Sequence, residues 1–428
     1  MPIYIHKEQR LDIRKRIVRL FGISYLRCRR QPPPHTDGAA NFRQKYNLQT
    51  ALEKNDLIFL GVSYVLLHLL RFMAHGSCAA PKTNNLFFTI ISLPFFMETR
   101  FPACYVQLPD YTEHRRAPFY LAAEEFIAQH LPTDNYLFSW QLGPTVVMGR
   151  NQVAHQEVDL DFCAQEGIDV VRRKSGGGAI FADGNNIMWS LITGEGAVEP
   201  LFIEYAEQVA AALCKLGAQV ELSGRNDIIL KGGGKICGNA FYHLPERNIV
   251  HGTMLYDTNP RLMQGALHPD VSKLQAKGVK SVRSRIALLK DYLPFGVTEL
   301  RHRLRSLLCD RSVTLGDEAV KEIERMEQGY YEPEYLYGQT AASDLTREAR
   351  IEGCGTLAFH FTLRGTLIEK VCLSGDFFEL DNAAECFNKA FEGTAFTPQS
   401  LKQAVEKHHP ERSIRGLTAE QLTACLTD

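Results

Sequence analysis

Arg172-Arg173-Lys174-Ser175-Gly176-Gly177-Gly178-Ala179-Ile180-Phe181-Ala182-Asp183 places three cations, a hydroxyl and three consecutive glycines between two strand-like runs. Asp169-Val170-Val171 leads in with β-branched residues. Ala179-Ile180-Phe181 leads out towards the apolar run 186–193, so the pattern predicts strand, glycine turn, strand. Glycine is favoured where the backbone takes positive φ or lets a ligand approach its N–H groups. Arginines beside such a turn suit a phosphate or carboxylate, so the stretch reads as an anion site, or more plainly as a flexible hairpin with solvated arginines. Three adjacent glycines lack the spacing G-x-G-x-x-G, and no helix pattern follows, which excludes a dinucleotide fingerprint. Gly232-Gly233-Gly234-Lys235 fails as a P-loop because Ile236 stands where a hydroxyl would hold magnesium.

Four further stretches follow in order: Ser223-Gly224-Arg225-Asn226-Asp227, Lys235-Ile236-Cys237-Gly238-Asn239-Ala240, His251-Gly252-Thr253-Met254-Leu255, and the long run Lys273 to Arg285. With the glycine stretch they resemble the signature of lipoate-protein ligases, members of the biotin and lipoyl ligase superfamily, of the two-domain ATP-dependent type. The resemblance covers about residues 97 to 300. It implies an α+β fold: a biotin/lipoyl ligase-like catalytic domain of mixed sheets flanked by helices, with a small α+β C-terminal accessory domain.

The chain has 428 residues, 45% hydrophobic and 23% charged, enough for two or more globular domains. A formal net charge of −1 argues against bulk nucleic-acid binding. Eleven irregularly spaced cysteines without a C-x-x-C pair suggest neither a disulfide framework nor zinc, and fit a reducing cytoplasm. Residues 1–96 read as an N-terminal extension outside the catalytic fold, with Met97 as the expected functional start. The apolar run 57–70 falls short of the roughly 20 residues that span a bilayer, so no stable membrane insertion is expected. Residues 97–300 read as the catalytic domain, 301–345 as a helical connector and 346–428 as the accessory domain. Apolar residues recur at helical spacing from Ala117 to His130 around Glu124 and Glu125, predicting an amphipathic helix. The strands between 136 and 256 read as mostly hairpin-connected.

The resemblance implies that ATP activates lipoate as an acyl-adenylate, which is then passed to a protein lysine. Negative charge accumulates on the α-phosphate, so fixed donors and a cation are needed there. Lys235 is the expected catalytic cation, poised between the acyl carboxylate and the α-phosphate. Arg173 is expected to contact the acyl carboxylate or phosphate. Gly176, Gly177, Gly178, Ala179, Ile180 and Phe181 are expected to line nucleotide and acyl group with their backbone. Asn226 and Asp227 are candidates for adenine or magnesium contacts, or form a turn-initiating pair. His251 orients a strand or the acceptor lysine, or is structural. Trp140, Val147 and Met148 are candidates for an apolar acyl tunnel, or simply core. ATP implies Mg2+, but no ligand cluster in the sequence marks a metal site. The implied partners are lipoyl domains of 2-oxoacid dehydrogenase complexes or the glycine-cleavage carrier protein.

Two departures keep other readings open. Ala182 stands where many ligases have histidine, and Cys237 replaces a common serine. On a regular strand positions i and i+2 share a face, so Cys237 beside Lys235 permits an ATP-independent lipoyl or octanoyl transferase working through a thioester. A biotin ligase would need a glycine-arginine-glycine motif, absent around residue 175. A non-catalytic acyl-binding protein would be expected to lack Lys235 or Arg173, and both are present.

Overall fold

The first strand, β1 (Ala103–Gln107), lies inside the sheet that carries the candidate site, flanked by a neighbour from each end of a long stretch of chain. The structure, a computed structural model, describes residues 103–428 apart from 195, 197, 224–225, 269–285, 339–342 and 428. The expectations for residues 1–96, and the motif Lys273 to Arg285, lie outside the described residues. Met97–Asp428 forms one compact unit.

After β1 come α1 (Ala117–His130), β2 (Tyr136–Trp140), β3 (Thr145–Met148), α2 (Ala154–Glu157), α3 (Leu160–Glu166), β4 (Asp169–Arg172), β5 (Ile180–Ala182) and β6 (Asn186–Thr193). Then follow α4 (Val198–Lys215), β7 (Val220–Ser223), β8 (Asp227–Leu230), β9 (Lys235–Leu244), β10 (Arg247–Leu255), α5 (Pro260–Ala266) and α6 (Val297–Leu308). The chain continues through β11 (Cys309–Thr314), α7 (Asp317–Glu327) and α8 (Pro333–Tyr337). It ends with β12 (Leu345–Ile351), β13 (Gly355–Arg364), β14 (Leu367–Gly375), α9 (Ala383–Phe391), α10 (Pro398–His408) and α11 (Ala419–Thr427). Local chemistry marks many of these ends. Asp159 caps α3 by accepting from the Phe162 N–H, and Gly167 closes that helix in the left-handed conformation at φ 66°.

The main sheet has eight strands in the order β11-β1-β2-β6-β10-β9-β8-β7. β7 to β10 are antiparallel hairpin neighbours, whereas β1 pairs parallel with both β2 and β11. Helices α4 and α6 cover one face, where Leu213, Leu300, Leu304 and Ile236 are buried. Helices α1 and α7 cover the other, with Phe119, Ile127, Val320 and Ile323. Among the described residues no helix is long and apolar enough to cross a membrane.

Two expectations change here. Helix α1 is not amphipathic: every residue from Ala117 to Ala128 is buried, Glu124 and Glu125 included. The reason is a second cover, because α7 and the 3-10 turn Gln328–Tyr331 pack on the side that a surface helix would give to water. The glycine stretch is no hairpin. β4 and β5 lie on opposite edges of a three-stranded sheet, order β4-β3-β5, so the loop 173–179 crosses the end of β3. Cys309–Thr314 passes unnoticed in the sequence because its residues are polar, as suits the edge strand it forms.

Candidate active site

Lys235 opens β9, and its ammonium lies 2.8 Å from Asp227 Oδ1 on the neighbouring strand β8. A β-bulge sets this geometry. Ile228 pairs with Cys237 but Ile229 pairs with Lys235, so one step of β8 faces two steps of β9. The extra residue breaks the two-residue alternation, and Ile236 and Cys237 both enter the core layer beneath α4. Lys235 instead lies across Gly238, where a Cβ would meet Nζ at 2.5 Å and Cε at 2.7 Å. A side chain at 238 would have to displace the end of the lysine from this path. The strand segment just after the undescribed stretch fastens here too, since Ala287 N–H donates to the Lys235 carbonyl at 2.9 Å.

Asn226 does not merely start a turn. Its amide donates to the Asn239 carbonyl at 2.7 Å, and the Asn239 amide returns a bond to the Asn226 carbonyl at 3.0 Å. This reciprocal pair holds the start of β8, and hence Asp227, against β9. Gly252 leaves room for it, because a Cβ there would lie 2.2 Å from Asn239 Oδ1. Cys237 is buried, donates to Asn239 Oδ1 at 3.4 Å, and burial pushes its thiol up to about 12. The bulge thus corrects the expectation that Lys235 and Cys237 share a face, and the thiol is protonated in a core layer rather than presented to substrate.

The two arginines of the opening stretch are turned inward. Arg172 is completely buried and donates to the carbonyls of Gly149, Arg150, Gln152 and Leu336 at 2.7–3.1 Å. Arg173 donates from Nε to Ser175 Oγ at 2.9 Å, from Nη1 to the Val147 carbonyl at 3.0 Å, and from Nη2 to the Gly176 and Gly178 carbonyls at 2.7 and 2.9 Å. Burial lowers the Arg173 guanidinium to about 10, so it stays charged at neutral pH. A guanidinium has five N–H groups, and four bonds are made here, three to the loop and one to β3. Arg173 thus lies beneath the loop and holds its carbonyls in.

Gly176 and Gly177 are packed by the C-terminal part of the chain. The Gly177 N–H donates to the Phe377 carbonyl at 2.9 Å. A Cβ on Gly176 would lie 2.2 Å from that same oxygen, and one on Gly177, at φ +88°, would lie 2.8 Å from the Phe378 ring. Phe378 also stacks on Phe241 of β9, with ring centroids 5.5 Å apart. Ala179 is partly buried against the core beneath the three-stranded sheet. Ile180 and Phe181 pair with Val147 and Val146, and their side chains enter different clusters on the two faces of that sheet. As the edge strand, β5 has no strand partner on its outer side among the described residues. Of the apolar tunnel candidates, Trp140 and Val147 share one core cluster with Ala182, while Met148 lies in another.

The sequence reading names His251 but passes over the polar partners that suspend this loop with it. Lys174 Nζ donates to Glu125 at 2.6 Å, and Tyr330 OH donates to the same carboxylate. Ser175 and His251 are 2.6 Å apart through Oγ and Nε2, and His251 Nδ1 lies 2.9 Å from Glu124. Adjacent acids inside an apolar helical run were the available signal. Among the described residues no group of three or more His, Cys, Asp or Glu is arranged to hold a metal ion.

Two families match in succession: Lipoyl protein ligase A/B catalytic domain over residues 116–307, and Bacterial lipoate protein ligase C-terminus over 340–426. Lipoate-protein ligase 1 of Staphylococcus aureus is 31% identical over 67% of this chain and 90% of its own length. Lipoate-protein ligase LplJ of Bacillus subtilis is 33% identical over 63% of this chain and 84% of its own. Among solved structures, P. falciparum LipL1 in complex with lipoate has a TM-score of 0.60 at 16% identity, covering 71% of this chain and 94% of that one. A bi-partite lipoate protein ligase described with its E2 lipoyl domain, from Thermoplasma acidophilum, has a TM-score of 0.50 at 24% identity, covering 57% of this chain and 100% of that one. These two share the α+β fold described above. With both matched segments in register and such identity over nine-tenths of a relative's length, the chain belongs to the lipoate-protein ligase family.

Proposed function

We propose that this chain activates lipoate with ATP and transfers the lipoyl group to a lysine of a lipoyl domain, with Lys235 as the central cation. The observation that carries this is the ammonium of Lys235 fixed over Gly238 and beside Asp227. In the first step a lipoate carboxylate oxygen attacks the α-phosphorus of ATP, and pyrophosphate leaves with the electron pair of the broken P–O bond. In the second, the acceptor amine attacks the acyl carbon, AMP leaves, and the amine loses a proton. Both transition states place extra negative charge on oxygens next to the phosphorus or acyl carbon, where a preorganised ammonium lowers the barrier. Asp227 orients that ammonium, and the Asn226–Asn239 pair holds Asp227.

The glycine loop and the free edge of β5, residues Gly176 to Phe181, supply backbone groups for the acyl and nucleotide moieties. Trp140 and Val147 offer apolar surface for the acyl chain. The related ligase described with lipoate and the one described with its lipoyl domain support the choice of substrate and acceptor. Magnesium enters with the phosphates of its nucleotide, and among the described residues no ligand cluster is formed. The thioester route is disfavoured by the buried, protonated Cys237.

The test is lipoate-dependent exchange of labelled pyrophosphate into ATP. The parent chain is expected to exchange and Lys235→Ala to lose about 10²–10³-fold, the scale of one removed transition-state donor. Equal exchange by both proteins would reject Lys235.

A further inference from the structure

The bonds around Ser175 form a chain that ends on Glu124. Arg173 Nε donates to Ser175 Oγ at 2.9 Å, and Ser175 lies 2.6 Å from His251 Nε2. His251 Nδ1 meets Glu124 at 2.9 and 3.0 Å. From the other side Trp140 Nε1 donates to Ser190 Oγ at 3.0 Å, and Ser190 donates to Glu124 Oε1 at 2.6 Å. Arg173 and Trp140, which can only donate, stand at the two ends. His251 bridges Ser175 and Glu124 through its two ring nitrogens. The chain therefore runs from the buried Arg173 guanidinium to the buried Glu124 carboxyl through Ser175 and His251. Ser175, Glu124 and Ser190 are completely buried, so no water competes for these bonds.

The same guanidinium holds the carbonyls of Gly176 and Gly178. Its orientation about the loop is fixed at one end by Ser175, whose hydroxyl is in turn aimed by His251 and Glu124. We propose that Glu124 and His251 are positioning residues of this enzyme: they set Ser175 and Arg173, and through them the backbone of residues 176–178 that receives substrate. The proposal rests on the ligase reading for the identity of that substrate. The neighbouring Glu125, by gripping Lys174, gives helix α1 a second hold on the same loop.

The geometry separates two amide replacements. Glutamine at 251 reaches the Nε2 position and can still accept from Ser175, whereas asparagine stops near the Nδ1 position and cannot. Glu124→Gln, His251→Asn, His251→Gln, Ser175→Ala and the double variant His251→Asn/Ser175→Ala are made in the full chain. Two readouts are taken: kcat and KM of pyrophosphate exchange, and hydrogen–deuterium exchange of the peptide spanning Arg173 to Phe181.

Glu124→Gln, His251→Asn and Ser175→Ala are expected to lower kcat about ten- to a hundredfold, because misplacement by about 1 Å can cost about 10²-fold. They also speed deuteration of the loop. His251→Gln keeps most of both properties, and the double variant is no worse than its more severe single. Unchanged loop deuteration and kcat in Glu124→Gln and His251→Asn would overturn the proposal, as would equal losses for His251→Gln and His251→Asn. Should the parent show no pyrophosphate exchange, the ligase reading fails, and loop deuteration alone still decides on the relay.

Discussion

Lys235 and Cys237 are two residues apart, and their environments differ in kind. The ammonium pairs with a carboxylate at a half-exposed strand start, while the thiol is packed near Tyr205 and Ile236. Cys237→Ala is expected to keep the pyrophosphate-exchange rate within about threefold, at a stability cost of roughly 0.5–3 kcal/mol. Iodoacetamide at pH 8 should not label Cys237 in the folded protein. The thiol's pKa rises from an ordinary 9.0 to about 12 on folding, so the unfolded chain loses this proton first. Its stabilising contribution is complete below pH 9 and is lost as pH climbs towards 12, by about 1 kcal/mol per pH unit. Unfolding midpoints between pH 9 and 11 should therefore fall less steeply for Cys237→Ala than for the parent. Lys235 was legible from its motif and neighbours. The separation of Cys237 from it was not, because the bulge at Ile236 leaves no mark in a run that alternates well enough to pass for regular strand.

At the scale of the element, the glycine loop is a crossing over β3 held from beneath, from the side and from above. Arg173 fills its underside, α1 grips it through Glu124 and Glu125, and Phe377 meets Gly177. Gly177→Ala meets both a positive φ and the Phe378 ring, and is expected to cost about 1–3 kcal/mol in thermal unfolding. Gly217→Ala shares the strain at φ +111° but has open space around it. If both substitutions lower the midpoint equally, the contact with Phe378 contributes nothing. Arg172→Lys should destabilise the turn after β3 as well, since one ammonium cannot serve the carbonyls of Gly149, Arg150, Gln152 and Leu336 together. The glycines themselves could be read from the sequence, together with the strands on either side. What approaches them could not, because the neighbour comes from Phe377–Phe378, some 200 residues further along the chain. The same distance hid the second cover on α1, which made its two acids look like the wet face of a surface helix.

At the scale of the molecule, catalytic and C-terminal segments meet through few but specific bonds. Gly375 N–H donates to the Asn151 carbonyl at 2.9 Å, and Asn151 Nδ2 donates to Glu379 at 2.8 Å. The compact unit begins at Met97, and we expect the chain from Met97 onward to fold and to retain pyrophosphate exchange within about twofold of the full chain. Loss of exchange in a folded Met97–Asp428 protein would assign residues 1–96 a part in the reaction. The main sheet also imposes a timetable on synthesis. β1 emerges early and pairs with β2, but its other edge waits for β11, about 200 residues later. At about 5–20 residues per second that edge stays open for roughly 10–40 s on the ribosome. Throughout that interval one edge of Ala103–Gln107, a mostly apolar strand, is open, the kind of template that recruits foreign strands. The yield of soluble protein should accordingly depend on how quickly the ribosome reaches Thr314.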